Sequence, residues 1–305
     1  MDYRLDDDQR EIQAAVGKLL ERHAGPARAR AVAAGSGTDR ELLAALEEAG
    51  YLDLFRYDRA GPLNATLAVE QIASAAGLAP AAQRMLVAPA LIEGDLPRAV
   101  VVVDRADPGP VRYAADADLL IAIDGDRAVV ARAGEWTATR LKSQYGYPFA
   151  RVALNGGRPL GTGSAAVARR WWQVAIAIEA AGAARSALDM TVKYLCVRTQ
   201  FGRALGANQA LQHRLAECHV SIEGVSWLAR QAAWRGTDEA AAAAAIAAAE
   251  MAGRVLLEMH QMSGAIGFTT EYDLHLFTMR LEALRVEAGG VHAHADDFAR
   301  ARWAV

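Results

Sequence analysis

Arg198 is followed by Phe201-Gly202 three residues on and by Gln209 eleven residues on. A guanidinium at a helix end, just before a Phe-Gly turn, can reach outward. Its planar fork suits a pyrophosphate, which it grips through two parallel hydrogen bonds. The bland alternative is a surface arginine paired with a carboxylate, the common fate of exposed Arg. A second group lies at Gln261, Gly264 and Ala265, just before Gly267-Phe268-Thr269-Thr270-Glu271-Tyr272. The amides of Gln209 and Gln261 can serve polar ligand atoms without adding charge. Gly264 and Ala265 let a ligand approach the backbone, and Phe201 is either ordinary core or a ring packed on that ligand.

Other chemistry-bearing residues group less well. His292 and Asp296 share a helix face, with His294 and Asp297 nearby, but the pattern reads as a polar C-terminal helix rather than a metal site. His213, His260 and His275 read as packing or hydrogen-bonding residues. Cys196 and Cys218 form no CxxC or zinc pattern and are given no chemistry. Gly156–Gly163 lacks the Lys-Ser/Thr ending of a phosphate loop and reads as a linker. Trp171-Trp172 is expected to bury against the β segment or an interface.

The elements that must position these residues follow an α–β–α order. Apolar spacing predicts helices over Glu11–Leu20, Glu41–Gly50, Ala65–Ala76 and Ala81–Ile92. Strands are expected at Ala99–Val103, Asp118–Ile123, Arg127–Ala131, Trp136–Leu141 and Ala150–Leu154, with Asp124-Gly125-Asp126 as a hairpin turn. Long helices then cover Ala165–Arg198, Asn208–Trp234 and 238 to about 262, the last with Thr237 as N-cap. Gly182, inside the first of these, leaves room for another backbone. The fold class is α+β, mostly α: a helical domain over 1–97, a small β domain over 98–163 and a four-helix-bundle domain over 164–305.

A net charge of −3, with arginines scattered among acids, leaves no basic stripe for nucleic acid. The opening MDYRLDDDQREIQ is too acidic for a secretory leader, and no stretch offers roughly 18 uninterrupted apolar residues. A cytoplasmic protein that does not enter membranes is the expectation.

RTQFGRALGANQALQHRLAE (198–217) resembles the flavin-binding signature of the acyl-CoA dehydrogenases, and MHQMSGAIGFTTEYDLHLFTMR (259–280) resembles that family's second signature. YRLDDDQREIQAAVGKLLER and LLAALEEAGYLDL are similar to its first two helices. The likeness runs in order over nearly the whole chain. It implies a reduced version of that family's fold. It also implies that Arg198, Phe201, Gln209, Gln261, Gly264 and Ala265 clamp an FAD held mainly by a neighbouring subunit, which makes the protein an oligomer.

The resemblance also exposes what is missing. Oxidation of an acyl-CoA needs a carboxylate within hydrogen-bond reach of the α-carbon. One position where the family carries that glutamate falls on Ala288, and the other falls on Trp172. Glu287 is one residue off, about 100° around a helix, and is only a weak candidate. No segment between Val100 and Ser164 matches the family's loop and strand that hold the flavin ring. The chain therefore resembles the base-lacking subunit of heteromeric actinobacterial dehydrogenases that act on CoA thioesters of steroid side chains. Its expected partner is a catalytic subunit of the same family in an α2β2 assembly, which binds the acyl-CoA and shares the FAD. Two alternatives stand beside it: a self-sufficient homo-oligomeric enzyme using Glu287, and a flavin-free structural partner.

Overall fold

The computed structural model describes residues 4–35, 37–107, 109–200 and 202–303, so Phe201 lies outside the described residues. Helix α1 (Asp7–His23) opens on a capping box: Gln9 N donates to Asp6 Oδ1 at 2.8 Å, and Asp6 N donates to the Gln9 side chain at 3.1 Å. Helix α2 (Pro26–Ala34) is absent from the sequence expectation. Only Ala29 on it is buried, so it carries no apolar stripe, and Pro26 at its first position is its one signal. Helix α3 (Arg40–Glu48) buries Leu42, Leu43 and Leu46, and helix α4 (Gly61–Ser74) follows a short 3-10 turn.

The helix expected over 81–92 breaks up. Gln83–Val87 widens into a π-helical turn and Ala88–Ala90 tightens into a 3-10 turn. Pro89 has no N–H to give, and its ring clashes with the carbonyl one turn back, so a regular α-helix cannot pass through it.

The β segment forms two small sheets. In the first, β1 (Val100–Asp104) runs parallel to β3 (Leu119–Asp124), which pairs antiparallel with β4 (Arg127–Arg132). The β3–β4 register ends at Asp124 opposite Arg127, leaving Gly125-Asp126 as a two-residue loop in which Gly125 takes φ +61°. In the second, β6 (Phe149–Leu154) lies between β2 (Val111–Arg112) and β5 (Trp136–Leu141). The stretch read as a linker also contributes: β7 (Arg158–Pro159) pairs with the outer edge of β4, where a proline is tolerated.

Helix α5 (Ser164–Val197) is the axis of the molecule, and its residues 171–184 are buried on every face. It packs against α4, α6 (Gln209–Arg235), α7 (Asp238–Ser263) and α8 (His275–Val286). Gly182 does what its position suggests. A Cβ there would sit 2.4 Å from the Glu70 carbonyl and 2.9 Å from Ala73 Cβ, so α4 and α5 touch backbone to backbone. Beside that contact Glu70, buried on α4, accepts from Ser226 Oγ at 2.9 Å, Arg230 Nη2 at 2.6 Å and Arg185 Nη2 at 3.2 Å. One carboxylate thus ties three helices.

Thr237 caps α7 as expected, accepting from Ala240 N at 3.4 Å. The 238–268 stretch is long and apolar enough to cross a membrane, but half of that apolar window is buried against the neighbouring helices, which marks a core helix. Helix α9 (Gly290–Trp303) closes the bundle. The mostly helical architecture with a small sheet region agrees with the expected class.

Candidate functional site

A cavity of about 380 Å³ opens between β1, the loop before β2, α5 and the α8–α9 junction. Its wall includes Val102, Val103, Arg112, Trp172, Glu287 and Ala288. The two positions at which the sequence lacks a base are therefore brought to one cavity, together with the weak candidate Glu287. Trp172 arrives from the first third of α5 and is buried; Trp171 beside it packs edge-on against Phe55, with centroids 4.8 Å apart.

Glu287 is committed. Its Oε1 accepts from Trp172 Nε1 at 2.8 Å and from Arg112 Nη2 at 3.1 Å. Its Oε2 lies 2.7 Å from Arg112 Nε, at an angle that leaves the contact Coulombic rather than a hydrogen bond. Arg112 grips Glu179 with its other edge, at 3.2 Å and 2.9 Å. Its guanidinium stacks over Tyr147 at 4.5 Å. Arg280 also approaches the same ring, at 5.2 Å, and donates to the Gly77 and Gly146 carbonyls. Two arginines and two glutamates thus form a buried cluster whose charges balance.

Burial works against the charge of Arg112, but Glu179 and Glu287 outweigh it and hold the guanidinium protonated well above its usual range. Burial pushes the Glu179 carboxyl up, and Arg112 pulls it only part of the way back. Both hydrogen bonds to Glu287 thus fall on Oε1, from the indole N–H and the guanidinium, while Oε2 is held beside the same buried arginine and accepts no hydrogen bond.

The backbone beside it is unusual. Ala288 adopts φ 54°, ψ 33°, and Gly289 and Gly290 follow at φ 84° and 65°. A left-handed alanine costs about 1–2 kcal/mol, so the surroundings hold this turn in place. One carboxylate elsewhere on the wall, Asp104, pairs with Arg169 at 3.1 Å, and Asp107 stands in an exposed loop at the mouth.

Sequence reasoning missed Arg112 and Glu179. Glu179 had a signal: it is the lone charge in the run Trp171–Ala184 of α5, and a glutamate inside an apolar helix needs a buried partner. Arg112, on a two-residue strand, had none.

The other predicted residues gather elsewhere. Arg198 caps the C-terminus of α5 and is followed by a hairpin of β8 (Thr199–Gln200) and β9 (Arg203–Ala204). Its backbone is fixed by Arg198 N to Tyr194 O at 2.9 Å and Leu205 N to Arg198 O at 2.8 Å. Its guanidinium is exposed and makes no ion pair or hydrogen bond with a described residue. Gln209 is the exposed first residue of α6, and Gln261 is exposed in the last turn of α7.

Arg214 pairs with Glu258 at 2.5 Å, so the start of α6 lies against the end of α7. Tyr272 donates to Met190 O at 2.7 Å, bringing the second signature onto the end of α5. Arg198, Gln209, Gln261, Gly264 and Ala265 therefore share one end of the bundle, and all five are exposed. Gly264 takes φ 63°, and a Cβ there would meet nothing within 4 Å. An exposed guanidinium without a partner among the described residues, at the end of the bundle that also carries the open backbone of Gly264, is able to receive an anionic group. His260, by contrast, is packed, with Nε2 at 2.9 Å from Thr278 Oγ1. Among the described residues no cluster of three or more His, Cys, Asp or Glu is arranged to hold a metal.

Residues 148–301 match the acyl-CoA dehydrogenase C-terminal domain family. Acyl-CoA dehydrogenase IpdE2 of Mycobacterium tuberculosis (strain H37Rv) is 30% identical over 292 residues, covering 90% of this chain and 91% of that protein. Among solved structures, a chain of the ChsE4-ChsE5 complex of Mycobacterium tuberculosis superimposes with a TM-score of 0.80 at 20% identity, covering 98% of each chain. A chain of the Tcur3481-Tcur3483 steroid ACAD gives 0.79 at 23% identity, covering 96% of this chain and 97% of the other.

Proposed function

Since this chain belongs to the acyl-CoA dehydrogenase family, we propose that it is the non-catalytic subunit of a heteromeric FAD-dependent acyl-CoA dehydrogenase, completing a cofactor site on a catalytic partner of the same family. The family's members depend on FAD, which when bound accepts the hydride from the acyl β-carbon. The observation that carries the proposal is the tie of Glu287 to Trp172 and Arg112 in a cavity where Ala288 stands at the other base position. With Glu287 held in a buried ion pair rather than presented on its own to a substrate, this subunit contributes binding and the partner contributes the base.

Arg198 supplies the charge for that binding, and Gln209, Gln261, Gly264 and Ala265 supply amides and open backbone around it. Their exposure supports a site finished by another chain, because a guanidinium with no partner is most useful where an interface will desolvate it. An α2β2 assembly, a steroid side-chain CoA thioester as the substrate held mainly by the partner, and a cytoplasmic setting complete the proposal. Two similar solved structures are of paired subunits by their descriptions, and one is described as a steroid enzyme, which supports that choice.

Glu287 on the cavity wall is the one observation that favours a self-sufficient enzyme, and its buried ion pair argues against it. The test is Arg198→Ala in the co-purified complex. The proposal expects loss of most flavin, whereas a purely structural partner would leave the flavin content unchanged.

A further inference from the structure

A separate cavity of about 400 Å³ lies where the starts of α1 and α4 meet the C-terminal third of α6, and it shares no lining residue with the cavity described above. Trp227 and Trp234 stand seven residues apart on α6, so their side chains leave one helix face about 10 Å apart along the axis. Leu5 and Leu63 complete the apolar wall. Each indole carries a cation: Arg230 lies over Trp227 at 4.8 Å, and Arg59, from the loop before α4, lies over Trp234 at 5.3 Å. The buried polar groups here, Gln9 and Arg230, keep donors without acceptors among the described residues. Gln9, 8% exposed, accepts from Asp6 N through Oε1, and its amide nitrogen makes no hydrogen bond with a described residue. Arg230, 9% exposed, donates to Glu70 Oε2 through Nη2, while its Nε is sealed without a partner. The acids nearby are committed: Asp6 caps α1, and Glu70 also serves Arg185 and Ser226. Arg59 is exposed and makes no ion pair with a described residue.

We propose that this cavity binds a flat two-ring aromatic carboxylate. The indoles of Trp227 and Trp234 offer faces and edges to the rings. The carboxylate supplies an acceptor to the Gln9 amide and a counter-charge to Arg59, and a hydrogen bond to an ionised group is of the stronger kind. An amine in the same place would meet the like charges of Arg59 and Arg230. A volume of about 400 Å³ is near the small end of ligand pockets, which suits two fused rings. The walls come from α1, α4 and α6, so an occupant holds the first helices of the chain against the bundle, and binding shows as a raised melting temperature.

The test is calorimetric titration of the full chain with naphthoate, naphthol and naphthylmethylamine. The carboxylate is expected to bind about tenfold more tightly than the neutral alcohol, and the amine to give no saturable heat. Arg59→Gln, on an exposed loop where folding is not at stake, should bring the carboxylate to within about twofold of the alcohol and leave the alcohol unchanged. Trp234→Ala should weaken carboxylate and alcohol alike, by about tenfold. Arg198→Ala should change none of these affinities, so failure here and failure of the shared-site reading are distinguishable. Equal binding of carboxylate and alcohol, a preference for the amine, an Arg59→Gln variant that binds like wild type, or no binding of any of the three at millimolar concentration would overturn the proposal.

Discussion

Trp172 Nε1 and Glu287 Oε1 meet at 2.8 Å across 115 residues of sequence, and the bond turns a nearby carboxylate into a structural one. The indole fills the volume that a side-chain base would need. At the same time its N–H and Arg112 Nη2 both bond Glu287 Oε1, and the guanidinium lies against Oε2, which ties the glutamate into a buried ion pair.

Glu287→Gln separates the two roles Glu287 could have. If it were the base, activity of the assembled enzyme would fall by orders of magnitude. The ion-pair account expects kcat within about twofold of wild type, with a stability loss of roughly 1–3 kcal/mol as Arg112 loses a charged partner. Steady-state kinetics and denaturant melts on the same preparation check both halves.

Arg112→Met should be far more damaging to stability. It leaves Glu179 and Glu287 buried and uncompensated, which costs about 3–5 kcal/mol. Adding Glu179→Gln to that variant should recover part of the loss, and urea unfolding of single and double variants reads the coupling.

The turn at Ala288 offers a change in the other direction. Its φ of 54° strains a side chain but not a glycine. Ala288→Gly should therefore stabilise the chain by about 0.5–1 kcal/mol after glycine's extra unfolded-state entropy is subtracted. A raised urea midpoint with an unchanged slope is the expected signature.

Burial lowers the pKa of both His260 and His294, since the charged imidazolium is disfavoured there. The sign follows from linkage. Below the ordinary histidine pKa of about 6.5 the unfolded chain takes up protons that the folded chain refuses. Their contribution to stability is thus present above that pH and lost as pH falls through the folded values. The melting temperature should drop between pH 7.5 and 5.5, and His294→Gln should flatten part of that drop.

Much of the frame was legible from local rules. The capping box at Asp6, the Gly125 hairpin and the Thr237 cap are encoded within a few residues each, and Gly182 announced a close helix crossing that the α4–α5 contact confirms. Helix α2 was not legible because an Ala/Arg segment with one buried residue has no periodic stripe. The 81–92 segment looked helical by its apolar spacing, and Pro89 overrode it. At the site, the two positions where the resemblance would place a glutamate could be counted along the chain to Trp172 and Ala288, but the surroundings of Glu287 could not. They depend on Arg112, which only the tertiary fold brings to Glu287.

The most direct measurement is flavin stoichiometry and dehydrogenase activity of this chain purified alone, then co-expressed with a family member that carries the missing glutamate. The account predicts little flavin and no activity for the chain alone, and about one FAD per pair of unlike chains with activity in the complex. A yellow, active protein from this chain by itself would contradict it and return Glu287 to the role of base.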